Sequence, residues 1–221
     1  MITIRAKLHA DGLNTVKFVR IDVTDLATIQ AAKETIDQED GKLDVLVNNA
    51  GTVFSLPYQP SNIQADLNIY ISGIGKLEEN QNATTISLST IRDAMETNFF
   101  GLIQTTITLL PLVRKGTDPV ILNVSIDMAS NTIQSRPGAI LHVVAYNTSK
   151  AAANSYTIAL AQELKAEGIK VNAVTPGFTT TKLNNYHPGG KTMKGGAEAL
   201  LPWALLDKDG PTCRFEFATG N

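Results

Sequence analysis

Apolar residues fall along the chain in short runs, separated by longer stretches where they recur every three or four positions. Residues 16–23, VKFVRIDV, mix β-branched residues into one such run, which predicts a strand. Thr24 and Asp25 follow as capping residues, helical spacing continues to about Glu39, and Gly41 stops the helix. A second apolar run, Leu43–Val47, ends at Asn48-Asn49-Ala50-Gly51. The alternation then repeats twice: a helix over about Ile91–Val113 precedes a strand at Val120–Val124, and a helix over about Tyr146–Glu167 precedes a strand at Ile169–Val174. Near-continuous apolar strands between amphipathic helices predict an α/β fold, a parallel sheet covered on both faces.

Two stretches break this rhythm, residues 52–90 and 127–145. Both follow strands at their carboxyl ends, where the loops of open α/β sheets meet ligands, so pocket lining and solvated insertion are both consistent with them. Residues 179–196 contain Pro188, Gly189, Gly190, Gly195 and Gly196, which suits a mobile lid ahead of a short helix at Ala197–Leu206. Residues 1–11 read as the tail of a helix.

Composition narrows the function without naming it. The 221 residues carry 19 Lys plus Arg against 21 Asp plus Glu, a net charge of −2, so neither nucleic acid nor an anionic membrane is an expected partner. The single Cys213 cannot close an internal disulfide, and no apolar run approaches the roughly 18 residues of a membrane span. Cytoplasmic localisation is therefore expected, and the sequons at Asn82, Asn123 and Asn147 are read as chance. One domain spanning 1–221 is the expected organisation. No metal site is read in the sequence.

The strongest chemical signal is Tyr146-Asn147-Thr148-Ser149-Lys150, because residues four apart share a helix face. A free phenol titrates near 10, and a neighbouring cation lowers that value, which brings proton exchange with an alcohol or carbonyl nearer neutral pH. The same chain has Asn48-Asn49-Ala50-Gly51 at a strand end, Asn98 in Thr97-Asn98-Phe99-Phe100-Gly101, and Pro176-Gly177 after a strand. Together and in this order, these motifs resemble the short-chain dehydrogenase/reductase family, closest to its carbonyl-reductase-like members, over nearly the whole chain.

The resemblance implies a Rossmann-like doubly wound sheet and an NAD(P)(H)-dependent exchange between a small carbonyl compound and its alcohol, with NADP(H) favoured over NAD(H). By the same resemblance Tyr146 is the general acid/base, Lys150 lowers its pKa and holds the nicotinamide ribose, and Asn98 anchors a proton-relay water. Asp22 would receive the adenine amino group, and Asn49, Ala50 and Gly51 would pass close to the adenosine. Gly177 and Thr181 match the turn that meets the nicotinamide amide and the phosphates. A homo-oligomer and a monomer are both compatible with the family.

The sequence departs from the family twice. An ungapped match puts Ile126 in the slot of the family's catalytic serine, and isoleucine offers an oxyanion no hydrogen bond. Ser125 is the nearest substitute and needs a local bulge to serve, Ser130 is a second candidate, and no working serine is a third reading. The second departure is at the front, where the family has a strand, a Gly-rich loop, a helix and a second strand. None of these is legible here: Ser72-Gly73-Ile74-Gly75 stands in the wrong order for a phosphate loop, and Gly190-Lys191-Thr192 lacks the first glycine of a nucleoside-triphosphate loop. The expectation is an incomplete domain lacking the first βαβ unit, with a bare apolar sheet edge. A catalytically inactive scaffold or subunit, and a truncated non-functional fragment, are the alternatives to an oxidoreductase.

Overall fold

In a computed structural model, the structure describes residues 8, 10–53, 82–139, 143–184, 186 and 188–217. Helix α1 spans Leu26–Glu39; the Asp25 carboxylate accepts from the Ala27 amide at 3.0 Å and satisfies a donor left over at the helix start. The chain turns out of α1 at Gly41, whose φ of 73° suits glycine, and enters strand β1, Val45–Asn48. Helix α2, Leu88–Met95, continues through a π-helical turn at Glu96–Phe100 into α3, Gly101–Val113. Strand β2 is Val120–Val124, followed by a 3-10 turn at Asp127–Ala129 and a one-turn helix α4, Asn131–Gln134. Helix α5, Val144–Leu164, leads to β3, Lys170–Thr175; then come α6, Met193–Ala204, and β4, Phe215–Phe217.

The described strands form one parallel sheet in the order β1-β2-β3-β4. Register pairs Asn48 with Asn123 and Asn123 with Ala173, so the strands end together at one edge. Alternation along the strands divides the core. Leu46, Ile121 and Val171 pack with Leu109 and Leu112 of α3 and Leu160 and Leu164 of α5. Leu122 and Val174 face the other way, onto Ala204, Leu200 and Trp203 of α6. With helices on both faces of a parallel sheet, the architecture is the Rossmann-like α/β class expected from the pattern.

A buried polar ladder threads the first of these cores. Asn48 Nδ2 donates to Thr106 Oγ1 of α3 at 2.9 Å and to Asn123 Oδ1 at 2.8 Å. Asn123 Nδ2 then donates to Thr157 Oγ1 of α5 at 2.8 Å. Each buried amide finds a partner, so the ladder joins α3, β1, β2 and α5 without an orphaned group in its path.

The expected strand at residues 16–23 does not form. These residues take no part in a ladder, and Phe18, Val19 and Ile21 are 54%, 39% and 39% exposed. No described strand lies beside them, and a β-prone segment without a hydrogen-bonding neighbour has no sheet to join. Lys17, paired with Glu39 at 2.9 Å and Asp40 at 3.0 Å, and a bond from the Gln104 side chain to the Val23 carbonyl tie the segment to α1 and α3. Helix α5 begins at Val144, two residues before the predicted start, and β4 was not anticipated from the pattern. The sequence near 73–75 and most of the 52–90 stretch lie outside the described residues.

Candidate active site

The carboxyl edge of the sheet gathers most of the predicted residues. Asn49, Ala50 and Gly51 leave β1 as an exposed strip. A Cβ added to Gly51 would stand 3.3 Å from Asn98 Oδ1 and 3.5 Å from Lys150 Nζ. Glycine therefore lets the backbone pass directly over the asparagine and the lysine.

Asn98 is fully buried in the π turn between α2 and α3, where the widened helix carries its side chain inward. Its Oδ1 accepts from the Thr52 amide at 2.7 Å, and its Nδ2 donates to the Thr52 carbonyl at 2.9 Å and to Ser149 Oγ at 3.0 Å. Ser149 Oγ donates in turn to the Tyr146 carbonyl at 2.9 Å. One side chain thus fastens the loop after β1 to the first turns of α5. Ser149 was not singled out from the sequence, although its place next to Lys150 was the available signal.

Tyr146 and Lys150 lie one turn apart on α5, 7% and 4% exposed. Lys150 Nζ donates to the Val124 carbonyl at the end of β2, at 2.9 Å, and burial pulls its pKa down to about 8. The Tyr146 ring packs among Met128, Val143, Val53 and Ile126. Burial, and next the nearby Asp127 carboxylate, raise the phenol above its ordinary value.

The serine alternatives separate clearly. The Ser125 amide donates to the Val174 carbonyl at 2.9 Å, so the residue prolongs the sheet, and no bulge turns it. Its hydroxyl donates to Asn154 Oδ1 at 2.6 Å. Ser130 caps α4, accepting from the Ile133 amide at 3.4 Å. Ile126, with Val53, packs against the cluster that Tyr146 forms with Met128 and Val143. Asn154 was overlooked, yet it stands four residues beyond Lys150 and eight beyond Tyr146, the spacing of one helix face.

Away from this cluster, Asp22 is exposed and accepts from the Thr24 hydroxyl at 2.7 Å and the Thr24 amide at 2.9 Å. Those bonds, the hydroxyl first, hold its carboxyl below the usual range. Gly177 leaves β3 at φ 75°. The Thr181 amide donates to Asn184 Oδ1 at 2.9 Å, and Asn184 Nδ2 donates to the Thr179 carbonyl at 2.8 Å. Within the stretch expected to be a mobile lid, the described residues form a clasp, with a bridge between Thr179 and Lys191.

The strip at Asn49–Gly51, the buried Lys150 ammonium and the Gly177 turn, at φ 75°, lie at the carboxyl ends of the strands, where Gly51 leaves the backbone close to the lysine. Among the described residues, no glycine-rich turn runs straight from a strand into a helix N-terminus, where a pyrophosphate is ordinarily met. The described residues contain no group of His, Cys, Asp and Glu that could hold a metal ion, and no helix long and apolar enough to cross a membrane.

The fold, a parallel sheet between layers of helices, is Rossmann-like. The chain matches the short chain dehydrogenase family over residues 2–190 and belongs to it. It is 31% identical to salutaridine reductase of Papaver somniferum over 255 aligned positions, covering 93% of this chain and 79% of that protein. It is 28% identical to (-)-isopiperitenone reductase of Mentha piperita, with 90% and 78% covered. The solved salutaridine reductase from Papaver somniferum superposes with a TM-score of 0.71 at 27% identity, over 96% of this chain and 85% of that one. An NADPH-bound carbonyl reductase from chicken fatty liver gives a TM-score of 0.74 at 19% identity, over 98% and 81%, a likeness of fold.

Proposed function

We propose that the protein is an NAD(P)(H)-dependent oxidoreductase interconverting a small carbonyl compound and its secondary alcohol, with NADP(H) the preferred cofactor and the cytoplasm its compartment. The observation that carries this reading is the convergence of Asn98 and Lys150 on Gly51, where an added Cβ would stand 3.3 Å from the Asn98 oxygen and 3.5 Å from the Lys150 ammonium, with Tyr146 one turn before that lysine on α5. The cofactor, when bound, supplies the hydride. Tyr146 is the proton donor to the carbonyl oxygen, and it stands protonated near neutral pH because burial raises its pKa. Lys150 presents a cation to the ribose, and Asn98 holds the loop over it. Asp22 is assigned to the adenine amino group, Asn49 and Ala50 to the adenosine, and Gly177 and Thr181 to the nicotinamide amide and phosphate.

Purified protein mixed with NADPH or NADH and a panel of small ketones and aldehydes tests this directly. Consumption of the reduced nicotinamide, faster with NADPH, is expected; neither binding nor turnover with any pair would overturn it. A second reading, a catalytically inactive relative serving as a scaffold or subunit, is favoured by one observation: Ile126 packs into the apolar cluster that holds Tyr146, while the Ser125 hydroxyl donates to Asn154. Enhanced NADPH fluorescence without turnover of any carbonyl would select that reading.

A further inference from the structure

Helix α5 grips the end of β2 at two successive turns. Lys150 Nζ donates to the Val124 carbonyl at 2.9 Å, and the Ser125 hydroxyl donates to Asn154 Oδ1 at 2.6 Å. The Val124 carbonyl and the Ser125 amide are opposite sides of one planar peptide. Its N–H donates across the sheet to the Val174 carbonyl at 2.9 Å, so the lysine takes the oxygen on the far side. Bonds to β3 and to α5 therefore meet at this peptide and at the serine that follows it.

The bond to Val174 sets the direction of the peptide, but β2 ends at Val124 and its end can still rock about that bond. Asn154 removes the freedom. It stands one turn after Lys150, and two attachments roughly 6 Å apart along a helix hold orientation as well as distance. The lysine has little room to absorb an error in that orientation. It is buried, and a Cβ on Gly51 would stand 3.5 Å from its Nζ. A strand end that tilted would carry the carbonyl off the ammonium, and a buried ammonium without its acceptor is costly to keep charged.

We propose that Asn154 is a positioning residue for the Lys150 ammonium, acting through the Ser125 hydroxyl and the Val124 carbonyl. What the ammonium then does for a dinucleotide rests on the reading above, whereas the positioning itself does not. Ser125 thereby has a part that requires no contact with a substrate oxygen.

Titration by NMR of the full chain, isotopically labelled at the lysine Cε, reads the ammonium directly, with the Lys150 resonance identified by its loss in Lys150→Met. In wild type the midpoint should lie at about 8. Tyr146, one turn before it on α5, is raised above its ordinary value and stays protonated there, so the two titrations do not overlap. Asn154→Leu, similar in shape but without the acceptor, should lower the Lys150 midpoint by about one pH unit, as the loss of a hydrogen bond to a charged group does. Ser125→Ala should lower it equally, and the two together no further. Asn154→Asp keeps an acceptor and adds a negative charge, so there the midpoint should not fall. In a fluorescence titration with NADPH, Asn154→Leu should weaken binding several-fold when Lys150 is present and change nothing in Lys150→Met.

An unchanged Lys150 midpoint in either Asn154→Leu or Ser125→Ala, with a lower Tm, would reduce the pair to a packing contact and overturn the proposal. So would an equal loss of NADPH affinity with and without Lys150. If Asn154→Leu does not fold, Ser125→Ala, which deletes a single oxygen, decides by the same midpoint. A wild-type chain that binds no NADPH would overturn the dinucleotide reading and leave the midpoint to judge Asn154.

Discussion

Strand β3 and the segment 16–23 are built from similar residues and reach opposite states. In β3 all six residues, Lys170–Thr175, are buried, with β2 on one side, β4 on the other, α5 below and α6 above. Segment 16–23 has comparable β-forming content, yet Phe18 is 54% exposed and no ladder bond is made. β-propensity describes fitness for a pleated, half-buried surface, and it yields a strand only where a neighbour supplies the hydrogen bonds. The chemistry follows the same division: Asn98, Tyr146 and Lys150 sit beside the sheet, while Asp22 stands exposed at the end of the segment that joins no described ladder.

The largest effect should come from the group beside the sheet. Tyr146→Phe removes the proton donor and keeps the ring, so turnover should fall by about 10² to 10⁴ while NADPH affinity changes little. Stopped-flow or steady-state kinetics beside a binding titration read both, and retained activity would remove the tyrosine from the mechanism. Next, Ile126→Ser restores a hydrogen-bond donor beside the phenol and should raise kcat/KM by up to about 10² to 10³. No gain would mean that the isoleucine slot does not face the substrate oxygen.

Stability should divide along the same line. Ile121→Ala opens a cavity among Leu109, Leu112 and Leu160 and should cost about 2–5 kcal/mol in denaturant unfolding. The Lys150 ammonium gives a smaller, pH-bounded term. Its folded pKa, about 8, lies below the ordinary 10.5, so between those values the unfolded chain binds more protons and stability rises with pH. The slope from this group cannot exceed about 1.4 kcal/mol per pH unit, and Lys150→Met should abolish it. Tyr146, raised above 10, acts in the opposite sense only at higher pH, where the unfolded phenol ionises first. Smallest of all, Phe18→Ser should change unfolding by under about 0.5 kcal/mol, because the residue is 54% exposed and surface substitutions change stability little. A cost comparable to Ile121→Ala would show that the segment is packed in solution and would erase the contrast with β3.

Much of this architecture could be read from local pattern. Val120–Val124 forms the strand its apolar run predicts, the α1 cap is Asp25, one of the two capping residues the sequence offered, and Gly41 follows that helix at a positive φ. Tyr146 and Lys150 share a face because helical spacing alone puts them there. Those features depend on contacts between residues close in the chain or on a periodicity that survives any packing.

Tertiary structure decided the rest, because the outcome depended on a distant partner. Whether 16–23 becomes a strand depends on what lies beside it. Whether Ser125 or Ile126 faces the tyrosine depends on β2 continuing its ladder to Val174, which turns the serine toward Asn154. The direction of the Tyr146 shift depends on how deeply the ring is buried and on Asp127, neither of which the four-residue spacing to Lys150 contains. Lys191 reaches Pro176 only because Gly190 and Gly196 let two loop segments close on Thr179 and Thr180, a contact spanning 15 residues from lysine to proline. Local sequence sets backbone preference and periodicity, while hydrogen-bond satisfaction and burial are properties of neighbours brought together by the fold.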